Sequence, residues 1–187
     1  MKTIKSLFFS MATLVALSVS FTSCDAITDA LSKEVEIEAP AIDFSVGGTT
    51  AAPQQKVSGI AEVIWLDKTV DIKTKLEEEL AKNSLTIDKV KTLLVTESNI
   101  ELVSEITTTQ NLGNIKLYIN DVMIAQGVGQ ISSLAKNIVL SYETPYSIFS
   151  SLGQGTVQLK ITSDQPKPSV QLQMKLYNKY KSKISLL

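Results

Sequence analysis

An antiparallel β-sandwich of about eight strands with two short helices is the fold class this sequence predicts, with a closed β-barrel as the alternative. Three observations predict it. Apolar residues recur at every second position through most of the chain, the period of a half-buried strand. One stretch, Ile72-Leu76-Leu80, recurs every four residues instead and marks a helix. Turn residues such as Gly47-Gly48 and Asn120-Asp121 punctuate the alternation at short intervals.

The elements follow in order. Val35, Ile37 and Ala39 alternate with Glu34, Glu36 and Glu38, and after Pro40 the alternation resumes at Ile42, Phe44 and Val46. Residues 48–55 read as a loop. Val57 to Leu66 is apolar on both faces and reads as a central strand; small apolar neighbours around Trp65 assign that indole to the core ahead of a sugar-stacking role. The helix follows, with Asp71 near its start and Lys82-Asn83 near its end. Strand patterns return at Val90 to Val95, Ile100 to Ile106, Ile115 to Ile119, Ile138 to Tyr142, Val157 to Ile161 and Val170 to Leu176. Asn120-Asp121 predicts a tight hairpin turn. Thr144 as N-cap, Pro145 at the first helical position and Gly153 beyond the end predict a second short helix with Tyr146, Phe149 and Leu152 on its buried stripe.

The N-terminus carries a different signal. Lys2 and Lys5 precede an apolar run from Leu7 to Phe21, the layout of a secretory leader. At 15 residues, three of them Ser and one Thr, the run is short of the roughly 20 needed to span a bilayer core. The single cysteine follows at once, and Phe21-Thr22-Ser23-Cys24 resembles the lipobox of Bacteroidota lipoproteins, with Phe where Leu is commoner. The resemblance implies cleavage before Cys24, lipidation of its thiol, and a lipid-anchored cell-envelope protein. Asp25 directly after the cysteine marks inner-membrane retention in some bacteria, whereas within that resemblance acidic residues there accompany surface export, so the outer membrane is expected with the inner membrane as the alternative. Three acyl chains exceed the two-signal threshold for stable anchoring. The expected organisation is a signal peptide over residues 1–23, a tether over 24–32 and a single β-sandwich domain over 33–187. Beyond the anchor the chain resembles small β-rich envelope lipoproteins only in general terms, and no site residue is carried over.

Composition excludes whole mechanisms. The chain has no histidine, and each of its 18 basic residues is lysine. A His-activated serine or cysteine nucleophile, a zinc site of His and Cys, and an Arg clamp for phosphate or carboxylate are all ruled out. The eight glycines form neither G-x-x-x-x-G-K nor G-x-G-x-x-G, and no EF-hand pattern occurs, so no cofactor and no metal are expected. Without the leader, 164 residues carry 16 lysines against 19 carboxylates, a balance that argues against a nucleic-acid partner.

Three residue groups are candidates for chemistry. Ser133-Leu134-Ala135-Lys136 matches the S-x-x-K spacing, but no K-T-G follows and Lys136 falls where a strand begins, so no catalytic role is assigned. Glu77, Glu78 and Glu79 fall on the polar face of the helix, the setting of an ordinary solvated charge run. On the last strand Lys175, Tyr177, Lys179, Lys181 and Lys183 share one face. They form a candidate contact row for an anionic glycan or lipid headgroup, though lysines also guard exposed strand edges. The row Glu34, Glu36 and Glu38 has the same spacing and opposite sign, so the first and last strands are expected to pair, with the lysines mainly structural.

The function expected is a non-enzymatic binding or structural module of the envelope, attached to the membrane by lipid and holding a glycan or another envelope protein. The alternatives are a hydrolase of envelope or dietary glycans using two convergent carboxylates, and a carrier of an apolar ligand inside a barrel.

Overall fold

The computed structural model of the chain describes residues 32–39, 41–48, 54–57, 60–82 and 84–185. The expected leader, Cys24 and all but the last residue of the expected tether lie outside them. The longest alternating run becomes the longest strand, Leu172–Ser185, in which every even-numbered residue from Leu172 to Ile184 is buried.

In chain order the strands are β1 (Ser32–Glu38), β2 (Ile42–Val46), β3 (Gln54–Val57), β4 (Ile60–Asp71), β5 (Val90–Leu102) and β6 (Gln110–Ile119). They continue as β7 (Val122–Ile131), β8 (Asn137–Leu140), β9 (Tyr146–Ser147), β10 (Thr156–Ser163) and β11 (Leu172–Ser185). One sheet runs β1-β11-β5-β8, with β2 also on β11 and β9 also on β5; the other runs β3-β4-β10-β6-β7. Every pairing is antiparallel. Two sheets with buried inner faces make a β-sandwich, and no closed barrel forms.

Two of the irregularities in the first sheet lie beside its outer-face hollow. Along β11, Glu38 faces Lys179 but Ile42 faces Leu176, so the β1–β2 edge carries one residue more than its partner. Along β5, Glu97 faces Lys179 while Val95 faces Tyr180, which leaves Thr96 as a β-bulge. On the other side of β5, pairing with β8 ends at Leu140 and pairing with β9 begins at Tyr146. The chain from Ser141 to Pro145 therefore leaves the sheet edge beside the bulge.

Besides the shared core, an isolated backbone bridge between Gln126 and Ser141 links the two sheets among the described residues. Gln126 donates to the Ser141 carbonyl at 3.0 Å and Ser141 donates back at 2.8 Å. Gly127 makes the approach possible, because a Cβ there would lie 2.5 Å from the Val139 carbonyl oxygen.

The expected helix is present as α1 (Lys73–Lys82), burying Leu76 and Leu80. Asp71 caps it, accepting from the Thr74 N–H at 2.9 Å and the Thr74 hydroxyl at 2.8 Å. The second expected helix is corrected: residues 146–147 are β9, and a 3-10 turn spans Phe149–Gly153. Pairing to β5 takes the first residues of that segment, and Ile148 donates to the Leu93 carbonyl at 2.9 Å. Too little chain is left for an α-helix. Phe149, expected on the buried stripe, is exposed.

Other boundaries also differ. Val57 belongs to β3 and the central strand starts at Ile60. Val90 to Leu102 is one strand where two were expected, β7 extends the hairpin well past Val122, and Val170 lies outside β11 and exposed. Asn120 and Asp121 take φ of 49° and 64°, the left-handed pair of a tight hairpin, as expected. Trp65 is in the core: it is the extra residue of a second bulge, since Leu66 faces Ile161 and Ile64 faces Thr162. The bulge turns Trp65 and Leu66 inward together, and the Trp65 Nε1–H has no acceptor among the described residues.

Candidate ligand-binding trough

The outer face of the first sheet is a lattice of side chains fixed by strand register. Tyr177 on β11, Asn99 on β5 and Val139 on β8 stand opposite one another in one row. On one side lies the row Lys175, Glu101, Asn137, with Asp43 of β2 beyond Lys175; on the other lie Glu38, Lys179 and Glu97. Adjacent rows are two residues apart, about 7 Å along the strand. The central row therefore offers an aromatic ring, an amide and an isopropyl group between two polar rows.

This face hollows into a trough of about 690 Å³ lined by these residues other than Lys175 and Asp43, and floored by Ser98, Tyr142 and Asn178. Thr96 at the bulge and Ser141, where the chain leaves the β5 edge, also line it. The Tyr142 hydroxyl lies 2.5 Å from Ser98 Oγ, which in turn bonds to Asn178 Oδ1. Burial pushes the Tyr142 phenol up to about 12, only partly offset by the Ser98 bond, and also raises Tyr180 behind it.

The five candidate residues of the last strand all lie on this outer face, but they do not form a basic patch. Lys179 Nζ is 2.9 Å from Glu97, Lys181 Nζ is 2.7 Å from Glu34 and Lys175 Nζ is 3.9 Å from Asp43. Glu97 and Glu34 accordingly raise the pKa of Lys179 and Lys181 by hydrogen bonding and by charge. Tyr177 donates to Glu101 Oε2 at 2.8 Å, a bond that raises its own pKa. Only Tyr177 and Lys179 of the five line the trough. The first and last strands pair as expected, with Glu34, Glu36 and Glu38 opposite Lys183, Lys181 and Lys179.

Nothing in the sequence singles out Asn99, Glu97, Glu101, Asn137 or Val139. Each sits at a solvent-facing strand position that looks ordinary alone, and only the pairing of β5 with β8 and β11 brings them together. Cys24 lies outside the described residues. Ser133 and Lys136 lie on the loop before β8, where Leu134 is fully exposed and the Ser132 hydroxyl accepts from the Leu134 and Ala135 N–H groups. Glu77 and Glu78 point to solvent on α1.

A second polar cluster spans the other sheet. Glu62 on β4 accepts from Lys116 Nζ at 2.6 Å, the Thr162 hydroxyl at 2.7 Å and the Tyr118 hydroxyl at 3.1 Å. Burial alone would raise its pKa, but the bonds from Lys116, Thr162 and Tyr118 and the Lys116 charge outweigh it and leave the pKa lowered. Every side chain here is satisfied by a neighbouring strand, which makes the cluster a cross-strand tie. Asp71 and Asp88 are also shifted downward, Asp71 through the Thr74 backbone N–H and Asp88 through the Thr86 side chain. A glycosidase acid needs the opposite shift.

Between α1 and the first sheet lies an apolar void of about 30 Å³, bordered by Ile42, Leu76 and Ile148 among others. That is room for a water and not for a lipid chain. No group of three or more His, Cys, Asp or Glu side chains among the described residues is placed to hold a metal ion, and no described helix is long and apolar enough to cross a membrane.

No family model and no curated protein matches the chain. Among solved structures it is similar to one described as "Structure of infectious bursal disease virus Gx strain", at 10% identity over 82% of this chain and 33% of that one, with a TM-score of 0.31. So loose a likeness carries no argument about fold or function.

Proposed function

We propose that the protein is a lipid-anchored, non-enzymatic binding module of the cell envelope, held at the outer membrane through Cys24 and presenting the trough of the first sheet to its ligand. The observation that carries this reading is the trough itself. A depression of about 690 Å³ falls in the range of ligand sites, and its walls combine apolar surface with converging polar groups. Its chemistry suits holding better than turnover. Glu97 and Glu101 are both engaged, by Lys179 and Tyr177, and their Cα atoms are about 13 Å apart along one strand, a wide base for a catalytic pair.

The test places a photo-crosslinking amino acid at Val139 in the full chain and irradiates intact cells. Val128, on the other sheet, is equally exposed at 70% and serves as the control position. An adduct of defined mass at Val139 and none at Val128 supports the reading. Equal labelling at both positions removes the trough from it, and an unlipidated Cys24 in the membrane fraction removes the anchor.

A further inference from the structure

We infer that the trough takes an uncharged, hydroxyl-rich ligand, an oligosaccharide without acidic or amino groups. The inference rests on the binding-module reading and names its ligand class. The first argument is charge. Glu38, Glu97 and Glu101 face a single lysine in the trough, Lys179, which already holds Glu97 at 2.9 Å. An anionic ligand would meet an excess of carboxylates around a lysine already neutralised. A cationic ligand would have to compete with Lys179 for Glu97.

Hydrogen bonding gives the second argument. Both engaged carboxylates keep acceptor capacity, since a carboxylate offers about four lone-pair sites and Glu97 and Glu101 each have one of these interactions. Asn99 donates to Asn137 Oδ1 at 3.1 Å, while its own Oδ1 is buried, so the acceptors that the trough presents are the carboxylates of Glu38, Glu97 and Glu101. The walls are richer in acceptors than in donors. A ligand matching them brings neutral donors, and sugar hydroxyls are such donors.

Shape gives the third. The row Tyr177–Asn99–Val139 sets an aromatic ring and a 70%-exposed isopropyl group in the middle of the lattice. Polar rows lie about 7 Å to either side. A pyranose has apolar C–H faces and a rim of hydroxyls, so it can rest on the central row while its rim reaches Glu101 and Asn137 on one side and Glu97 on the other.

The experiment applies the full-length protein in detergent to an immobilised panel of uncharged plant, fungal, animal and bacterial oligosaccharides, with polygalacturonate as the anionic probe and chitosan hexamer as the cationic one. Retention on one or more uncharged glycans is expected, unchanged between about 0.05 and 0.5 M NaCl. Val139→Lys, at an exposed position that leaves folding intact, should weaken it at least about tenfold, as should Tyr177→Ala, while Tyr177→Phe keeps the ring and the binding. Retention of no uncharged glycan, salt-sensitive preference for either charged probe, or wild-type binding by Val139→Lys would overturn the inference. A protein adduct at Val139 in intact cells without glycan retention would overturn the ligand class alone and leave the binding-module reading standing.

Discussion

Glu34 and Lys181 meet diagonally across the β1–β11 pair, Oε2 to Nζ at 2.7 Å, although strand register sets Glu34 opposite Lys183 and Glu36 opposite Lys181. This ion pair thus crosses between rungs instead of following the register. Both side chains are largely solvated, so the attraction is screened and small. A double-mutant cycle of Glu34→Ala and Lys181→Ala, read from urea midpoints, should give a weak favourable coupling at low salt that disappears near 1 M NaCl, where the Debye length is about 3 Å. Coupling that survives high salt would contradict this solvated-pair account.

That contact shows what the sequence could specify. The matched spacing of Glu34, Glu36 and Glu38 against the alternating lysines was enough to pair the two strands, because period and charge are both local properties. The trough was illegible for the converse reason. Asn99 and Val139 are 40 positions apart, and their adjacency depends on which strands share an edge of β5. Bulges were hidden too: Trp65 falls inside an apolar run and Thr96 in the polar stretch between Val95 and Ile100, so neither extra residue leaves a mark of its own. In the second expected helix, cap chemistry at Thr144 and Pro145 lost to the tertiary pairing of Tyr146 and Ser147 with β5.

Glu62 ties three strands together, and its removal should be costly. Glu62→Ala leaves the Lys116 ammonium and the Thr162 and Tyr118 hydroxyls without their shared acceptor, a loss of about 1–3 kcal/mol. The folded pKa lies below its ordinary 4.5, so the carboxylate contributes stability that is fully present above that value and lost as pH falls through the folded pKa. The urea midpoint of the wild type should therefore drop on acidification below about pH 4.5, and Glu62→Gln should lose part of that dependence. Identical acid profiles for the two proteins would refute the assignment.

Tyr142 has the opposite sign. Its phenol is pushed from an ordinary 10 up to about 12, chiefly by burial, so the neutral form is favoured in the folded state. A folded pKa raised above the unfolded one contributes stability that is complete below about pH 10 and fades as pH rises towards 12. Tyr142→Phe removes the hydroxyl that meets Ser98 at the trough floor while keeping the ring that fills the space. At neutral pH the variant should lose about 1 kcal/mol, the net worth of one hydrogen bond. Its stability should fall less steeply than that of the wild type above about pH 10, although Tyr180, also raised by burial, keeps some of the slope in both. Urea midpoints at neutral pH and near pH 11 measure the difference, and phenolate absorbance should show a late-titrating tyrosine missing from the variant. Parallel alkaline profiles would place Tyr142 in solvent and remove it from the trough floor.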